Sequence, residues 1–512
     1  MNAYPDARWV ALRFRFAFID QRAREDATPS SSAQHAASQL GQVLDEADQP
    51  DGAFVCLEHN RWGLGQKSTF IPRDISHTET GWINSTMSRA DCTFASNPYL
   101  DFEFMEPHSS IGFSIHFDEP TGQHATRIRV QTYDENGQII DDVIKENHSA
   151  LCVINLLSPD YTHVRFTFLE TSRPYSRVRV SEVLFGIVET YEADDIVTAS
   201  LEYSVDPIAE SLPSRQTVFR IDNSDQRFNL INPDGIYAYL QQPQSFDVAM
   251  GVGESKDTIE YVSMGQFYFA TASAEDASLT AEITAYDWFY WLEKANYKCT
   301  STGEWTLGEA ITSIFTTAGI ECEIVISAAA ASTPIMKYTE EMTCREALRL
   351  AVQAACCTAY FNRESQLVVL DLAQASPVDA LDNNNMSAPP KVTIESAVNA
   401  VQLTVRNSGA SDDVIYTAEN IPDGAIAQVK SVNNNMVHED MGQAVADWIL
   451  QRCQGRITYT TAERGNPATL LTDTVKIYDY FHVNRNTVVT RQVFTYDGGL
   501  HVESEAIARG ST

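Results

Sequence analysis

Carboxylates and histidines are the groups in this chain whose types could do chemistry, with 69 Asp plus Glu and 11 His. Spacing decides what that chemistry would be. A zinc site needs three or four ligands converging at fixed geometry, and no two histidines stand at the helical i, i+4 spacing. The adjacent pairs Asp141–Asp142, Asp194–Asp195 and Asp412–Asp413 have the chemistry of calcium ligands or glycosidase carboxylates. None lies in an Asp-x-Asp-x-Asp-Gly loop, and solvated loops account for them equally. Phosphate-cradling, dinucleotide, metalloprotease and nucleophile-elbow motifs are all missing. The expectation is no catalytic residue, no metal, no cofactor and no enzyme activity.

Aromatics in loops suggest a different chemistry. Sugars present flat C–H faces that stack on Trp and Tyr, while their hydroxyls pair with Asn and Arg. Gly81-Trp82-Ile83-Asn84 and Arg173-Pro174-Tyr175 both fall in predicted loops, so Trp82, Asn84, Arg173 and Tyr175 are candidate carbohydrate contacts. The alternative is that Trp82 plugs the end of a β-sandwich. DWFYWLEK (Asp287–Lys294) packs four aromatics into eight residues, as expected of a strand-to-helix junction or a subunit interface.

These residues must be positioned by several domains, because 512 residues exceed what one core supports. With 36 Lys plus Arg against 69 Asp plus Glu, the net charge is −33. A surface this acidic repels phosphates, so sequence-specific nucleic-acid binding is not expected, nor is binding to anionic membranes. Solubility accounts for the charge, and so does a passage through which DNA slides without sticking. Nine cysteines at irregular spacings fit reduced, buried thiols and folding in a cytoplasm. The start MNAYPDARWVALRFRFAF lacks the parts of a secretory signal, and no run of about 18 apolar residues offers a transmembrane span.

The chain reads as β-rich, multidomain α+β. Trp9–Phe18 alternates as a strand, Ser32–Glu46 reads as a modest helix, and Phe54–Leu57 and Arg61–Trp62 continue the opening. Between residues 74 and 187 come short alternating runs: LDFEF (Leu100–Phe104), IGFSIHF (Ile111–Phe117) and RIRVQTY (Arg127–Tyr133). An Asn-Gly turn at Asn136–Gly137 then leads into QIIDDVI. This pattern predicts a jelly-roll sandwich over 74–187, inserted into a discontinuous β-domain of 1–73 plus 188–295. Thr306-x-x-Glu309 and Thr343-x-x-Glu346 have capping-box spacing and announce two helices, the first stopped by Gly319. A hairpin follows around Asn362–Ser365, making 296–374 a small α+β domain. The loop Ala375–Pro390 precedes a second β-domain over 391–512, with an amphipathic helix at Glu439–Cys453 stopped by Gly455.

Several phrases carry a family resemblance. Ser172–Tyr191, Asp194–Asn229, Tyr261–Glu275 and Ile283–Lys294 are similar to tail proteins of phages and prophages of gut Firmicutes. Downstream, TCREALRLAVQAA, YFNRESQLVVLDL, ERGNPATLLTDTVKIY and FTYDGGLHVES keep the same order. Together they resemble the baseplate hub, or tail-associated protein, over nearly the whole chain. The resemblance implies hub-type β-barrel domains in a homotrimer matched to a hexameric tail tube. Its implied partners are the tail tube, distal tail proteins and a tip spike or fibre, within a virion tail assembled in the bacterial host cytoplasm. The inserted sandwich resembles carbohydrate-binding modules of the discoidin type, which implies contact with host-surface glycans. Left open are a hexameric distal tail protein, a tailocin, a glycan-binding adhesion protein and a glycoside hydrolase with a binding module.

Overall fold

Wherever apolar and polar residues alternate in the described chain, strands form. The computed structural model describes residues 9–44, 80–118, 122–224, 226, 228, 244–274, 279–372, 375–382, 384–394, 398–406, 413–454, 456–478 and 485–509. Phe54–Leu57, Arg61–Trp62 and the helix stop at Gly455 lie outside these residues. The described residues hold thirty strands and six α-helices, a β-rich multidomain α+β fold. They group into two compact units, Phe16–Glu189 and Met1–Arg15 with Thr190–Thr512.

In the unit Phe16–Glu189, seven strands share one sheet system. Its order is Trp82–Ile83, Arg179–Leu184, Tyr99–Phe117, Leu151–Thr171, Ala125–Tyr133, Ile139–Glu146, with Thr28–Ser31 paired to Tyr99–Phe117. Period-2 alternation turns Leu100, Phe102, Phe113, Phe166 and Phe168 inward, all without exposed surface. Each such side chain contributes roughly 1.5–3 kcal/mol on burial. Register shifts between Glu103 and Gly112 bend the long strand, so that its second half also pairs with Arg179–Leu184. The Asn-Gly hairpin forms as expected. Gly137 takes φ +72°, its N–H donates to the Asp134 carbonyl at 2.9 Å, and the Asp134 carboxylate accepts from Asn136 and Gln138.

The expected helix over Ser32–Glu46 does not form; a short 3₁₀ turn at Leu40–Leu44 is the only helical piece in its described part. The reason is tertiary. His35 N–H donates to the Ile83 carbonyl, Gln39 N–H to Gly81 and Ser32 N–H to Tyr99, so the backbone groups a helix would use are spent on distant strands. A helix stands earlier, at Gln21–Asp26, capped by the Asp20 carboxylate on the N–H groups of Arg22 and Ala23.

The second unit carries most of a 13-stranded sheet. From one edge the order is Lys391–Ile394, Arg456–Glu463, Leu500–Arg509, Arg485–Tyr496, Ile196–Ser204, Gln216–Asp222 and Thr280–Tyr286. It continues through Glu260–Ser273, Ser245–Gly253, Trp9–Ile19 and Gly186–Tyr191. The expected loop at Ala375–Pro390 contains a short strand, Asp379–Leu381, parallel to Thr474–Ile477. Helix Leu307–Ala318 has its full capping box between Thr306 and Glu309 and ends on Gly319 at φ +65°. Helix Cys344–Ala354 forms only half of the box: Thr343 accepts from the Glu346 N–H, while the Glu346 carboxylate turns to Arg349 at 2.6 Å. The late helix is α-helical over Gly442–Cys453, after a 3₁₀ turn at Glu439–Met441. Its Val445, Trp448 and Ile449 join Leu307, Ile311, Leu348 and Ala351 in one apolar core.

Candidate functional site

The four candidate sugar contacts separate into two pairs. Trp82 has no exposed surface; its two-residue strand pairs with Arg179–Val180 and its ring stacks on Phe168 at 5.6 Å. Asn84 is equally buried, its Oδ1 accepting from the Val178 N–H at 2.7 Å and its Nδ2 donating to the Thr86 carbonyl. Neither presents an exposed face to a ligand: Trp82 packs inside, its buried Nε1–H making no hydrogen bond among the described residues, and Asn84 acts as an internal tie. Arg173 and Tyr175 are exposed, Tyr175 at 44%.

Tyr175 is held in an unusual backbone state, with φ +54° in a residue that carries a Cβ. Its turn is fastened on both sides. Ser88 Oγ donates to the Arg173 carbonyl at 3.2 Å and accepts from the Ser176 N–H at 3.0 Å. Arg177 donates from Nη1 to the carbonyls of Asn84 and Ser85. On the other flank, Ser172 N–H donates to the His124 carbonyl at 3.1 Å and Ser172 Oγ to the Gly122 carbonyl at 3.3 Å. The Arg173 guanidinium lies over that turn: Nη2 is 3.7 Å from where a Cβ on Gly122 would stand. Burial holds the His124 imidazole below its ordinary pKa, and neighbouring Arg173 and His148 add to this against a hydrogen bond at Gly122. This is a preorganised turn displaying an aromatic ring and a guanidinium.

The other unit contains a charged joint that no local motif announces. Asp287 caps helix Trp288–Leu292 by accepting from the Phe289 N–H at 3.1 Å, realising the strand-to-helix junction in DWFYWLEK. It also accepts from the Arg215 N–H at 3.0 Å and stands 3.5 Å from Arg215 Nε, both side chains almost wholly buried. Burial pushes the Asp287 carboxyl up to about 6 despite the opposing charge of Arg215. Arg215 donates to the carbonyls of Asn362 at 2.6 Å and Gln266 at 3.2 Å. Gly265, at φ +102°, makes room: a Cβ there would stand 2.5 Å from Arg215 Nη1. Arg363 is fixed beside it by the carbonyls of Pro467 and Thr469. The joint binds strand ends to the small α+β region and has no opening for a substrate.

A cleft of about 240 Å³ lies in the same unit, lined by Asp206, Ile208, Glu210, Lys430, Arg491 and Glu505 among others. Its cations are already matched, Lys430 to Glu210 at 2.7 Å and Arg491 to Glu202, Glu505 and Glu503 at 2.7, 3.2 and 3.4 Å. Among the described residues no cluster of three His, Cys, Asp or Glu could hold a metal ion, and no helix is long and apolar enough to cross a membrane.

No protein-family model matches the chain, and no curated protein matches it. Solved structures are similar to it. The tail protein from Neisseria meningitidis MC58 aligns at 13% identity and a TM-score of 0.44, over 62% of this chain and 93% of its own. The 43 kDa tail protein of prophage MuSo2 from Shewanella oneidensis aligns at 14% identity and 0.43, over 62% and 96%. The family 32 CBM from C. perfringens NanJ, solved with galactose, aligns at 10% identity and 0.21, over 35% and 99%. At these identities and scores the likenesses assign neither family nor function to this chain.

Proposed function

We propose that the chain is a structural component of a phage-type tail, a homotrimeric hub joining the tail tube to the distal tip in the virion. One observation carries this reading. Asp194–Asn229, Tyr261–Glu275, Ile283–Lys294 and FTYDGGLHVES, four of the phrases that resemble tail hubs, are scattered over three hundred residues of sequence yet supply neighbouring strands of one sheet, whereas TCREALRLAVQAA forms a helix and YFNRESQLVVLDL a strand pair of a separate sheet. Leu201, in Asp194–Asn229, pairs with Phe494 in FTYDGGLHVES, and Gln216–Asp222 and Thr280–Tyr286 follow as the next two strands. Those four phrases therefore form a connected stretch of sheet and not isolated words. The hub's partners are the tube, the distal tail proteins and a spike or fibre, and DNA passes without being read. On this proposal the region 74–187 is an insertion into a β-domain formed by 1–73 and 188–295.

Mass photometry of the purified chain, alone and mixed with tail-tube protein, tests this. Three copies per particle and association with the tube support it. A monomer at micromolar concentration that ignores tube protein overturns it, and six copies favour a distal tail protein.

A second reading, compatible with the first, is that the sandwich touches host-surface glycans. The fastened turn that displays Tyr175 and Arg173 favours it, because a backbone already ordered loses little entropy on binding. A glycan array probed with the full chain is its test, and the absence of any bound glycan leaves the sandwich a spacer.

A further inference from the structure

We propose that the turn carrying Arg173 and Tyr175 takes an anionic saccharide, one bearing a carboxylate or a phosphate, in preference to a neutral sugar. This rests on the glycan reading above and names the ligand class. The chain as a whole is strongly acidic, at −33, so an unmatched cation on its surface needs explaining. Arg173 is such a cation. It is exposed and makes no ion pair among the described residues.

Two carboxylates of the flanking segments are engaged elsewhere. Glu170 pairs with Arg127 at 2.7 Å, and Asp91 accepts from the Thr93 N–H and Oγ1 at 3.0 and 2.7 Å. Instead of acids, the turn gathers further nitrogen bases. Arg173 and His148 are both close enough to act on the His124 imidazole. The guanidinium is a planar fork that matches carboxylate and phosphate oxygens two at a time, and such charge-assisted pairs are about twice as strong as neutral ones. A neutral sugar seated against Tyr175 would strip water from Arg173 and return only hydroxyl contacts. An acidic sugar returns a counter-charge. Tyr175, fixed at φ +54°, supplies the apolar face for the ring.

The experiment is isothermal titration of the full chain with matched pairs: galactose against galacturonate, and glucose against glucuronate and glucose 6-phosphate. The expected result is tighter binding of the acid member by about tenfold or more, weakening as sodium chloride rises. Arg173→Met should abolish the acid preference, bringing the acidic and neutral members of each pair to within about twofold of each other, and Arg173→Lys should keep part of the preference. The carboxylate and phosphate arms identify which anion is preferred. Equal affinity for neutral and acidic members, or an acid preference that survives Arg173→Met, overturns this inference while the glycan reading stands. If no saccharide of either kind binds here or on the array, the glycan reading falls and this inference with it. Unchanged tryptophan fluorescence of the variants shows that the surface substitutions leave the fold intact.

Discussion

Replacing Asp287 tests whether the buried joint organises the second unit. In Asp287→Ala the Arg215 guanidinium stays buried without its counter-charge, and the N–H groups of Arg215 and Phe289 lose their acceptor. Breaking one side of a buried ion pair costs about 3–5 kcal/mol. Asp287→Asn keeps one acceptor oxygen and should lose less, about 2 kcal/mol, but it also removes a titration. The folded carboxyl is raised to about 6 from 3.8, so the folded protein binds the extra proton between these values. Stability from this group is thus present at low pH and lost as pH rises through about 6. Linkage gives about 2 kcal/mol between pH 4.5 and pH 7. Urea denaturation followed by the fluorescence of Trp288 and Trp291, on the helix that Asp287 caps, reads both effects. The gap between wild type and Asp287→Asn should widen by that amount as pH falls. A loss under about 1 kcal/mol for Asp287→Ala, or a gap that ignores pH, would refute the reasoning.

Three further outcomes are expected. Trp82→Ala should destabilise the unit Phe16–Glu189 by about 3–5 kcal/mol, whereas Tyr175→Ala should change stability by less than about 0.5 kcal/mol; thermal melts of both variants check this. Thr306→Ala removes the cap on the Glu309 N–H and should cost about 1 kcal/mol in urea denaturation. Burial pushes the thiols of Cys356 and Cys357 up to about 12 and about 11, so iodoacetamide at pH 8 should leave both unlabelled in the native protein and label them in urea, as read by peptide mass spectrometry.

What could be read from the residues was what local pattern dictates. The alternation in LDFEF, the Asn-Gly turn, the Thr306–Glu309 box and the Asn362–Ser365 hairpin each depend on neighbours within a few residues, and each forms. Ser32–Glu46 failed because its backbone partners lie some fifty residues away, beyond any local signal. Trp82 and Asn84 were misplaced for a related reason. A Trp between Gly and Asn looks like a loop until Val180 pairs with it on the neighbouring strand of the sheet. The Arg215–Asp287 joint spans 72 residues, and only the acid position ahead of four aromatics hinted at it. Arg173 and Tyr175 were legible as Arg-Pro-Tyr in a turn. The left-handed φ of Tyr175 and the hydroxyl ties from Ser88 and Ser172 came only with the fold.

The central claim is that this chain is a fixed part of a tail and not a free catalyst. Cryo-electron microscopy of tail particles assembled with the chain present tests it most directly. The account predicts density for three copies at the distal end of the tube, with the 13-stranded sheet assignable in each. Tails complete at that end without the chain, or a chain that remains in the soluble fraction while tails form, would contradict it.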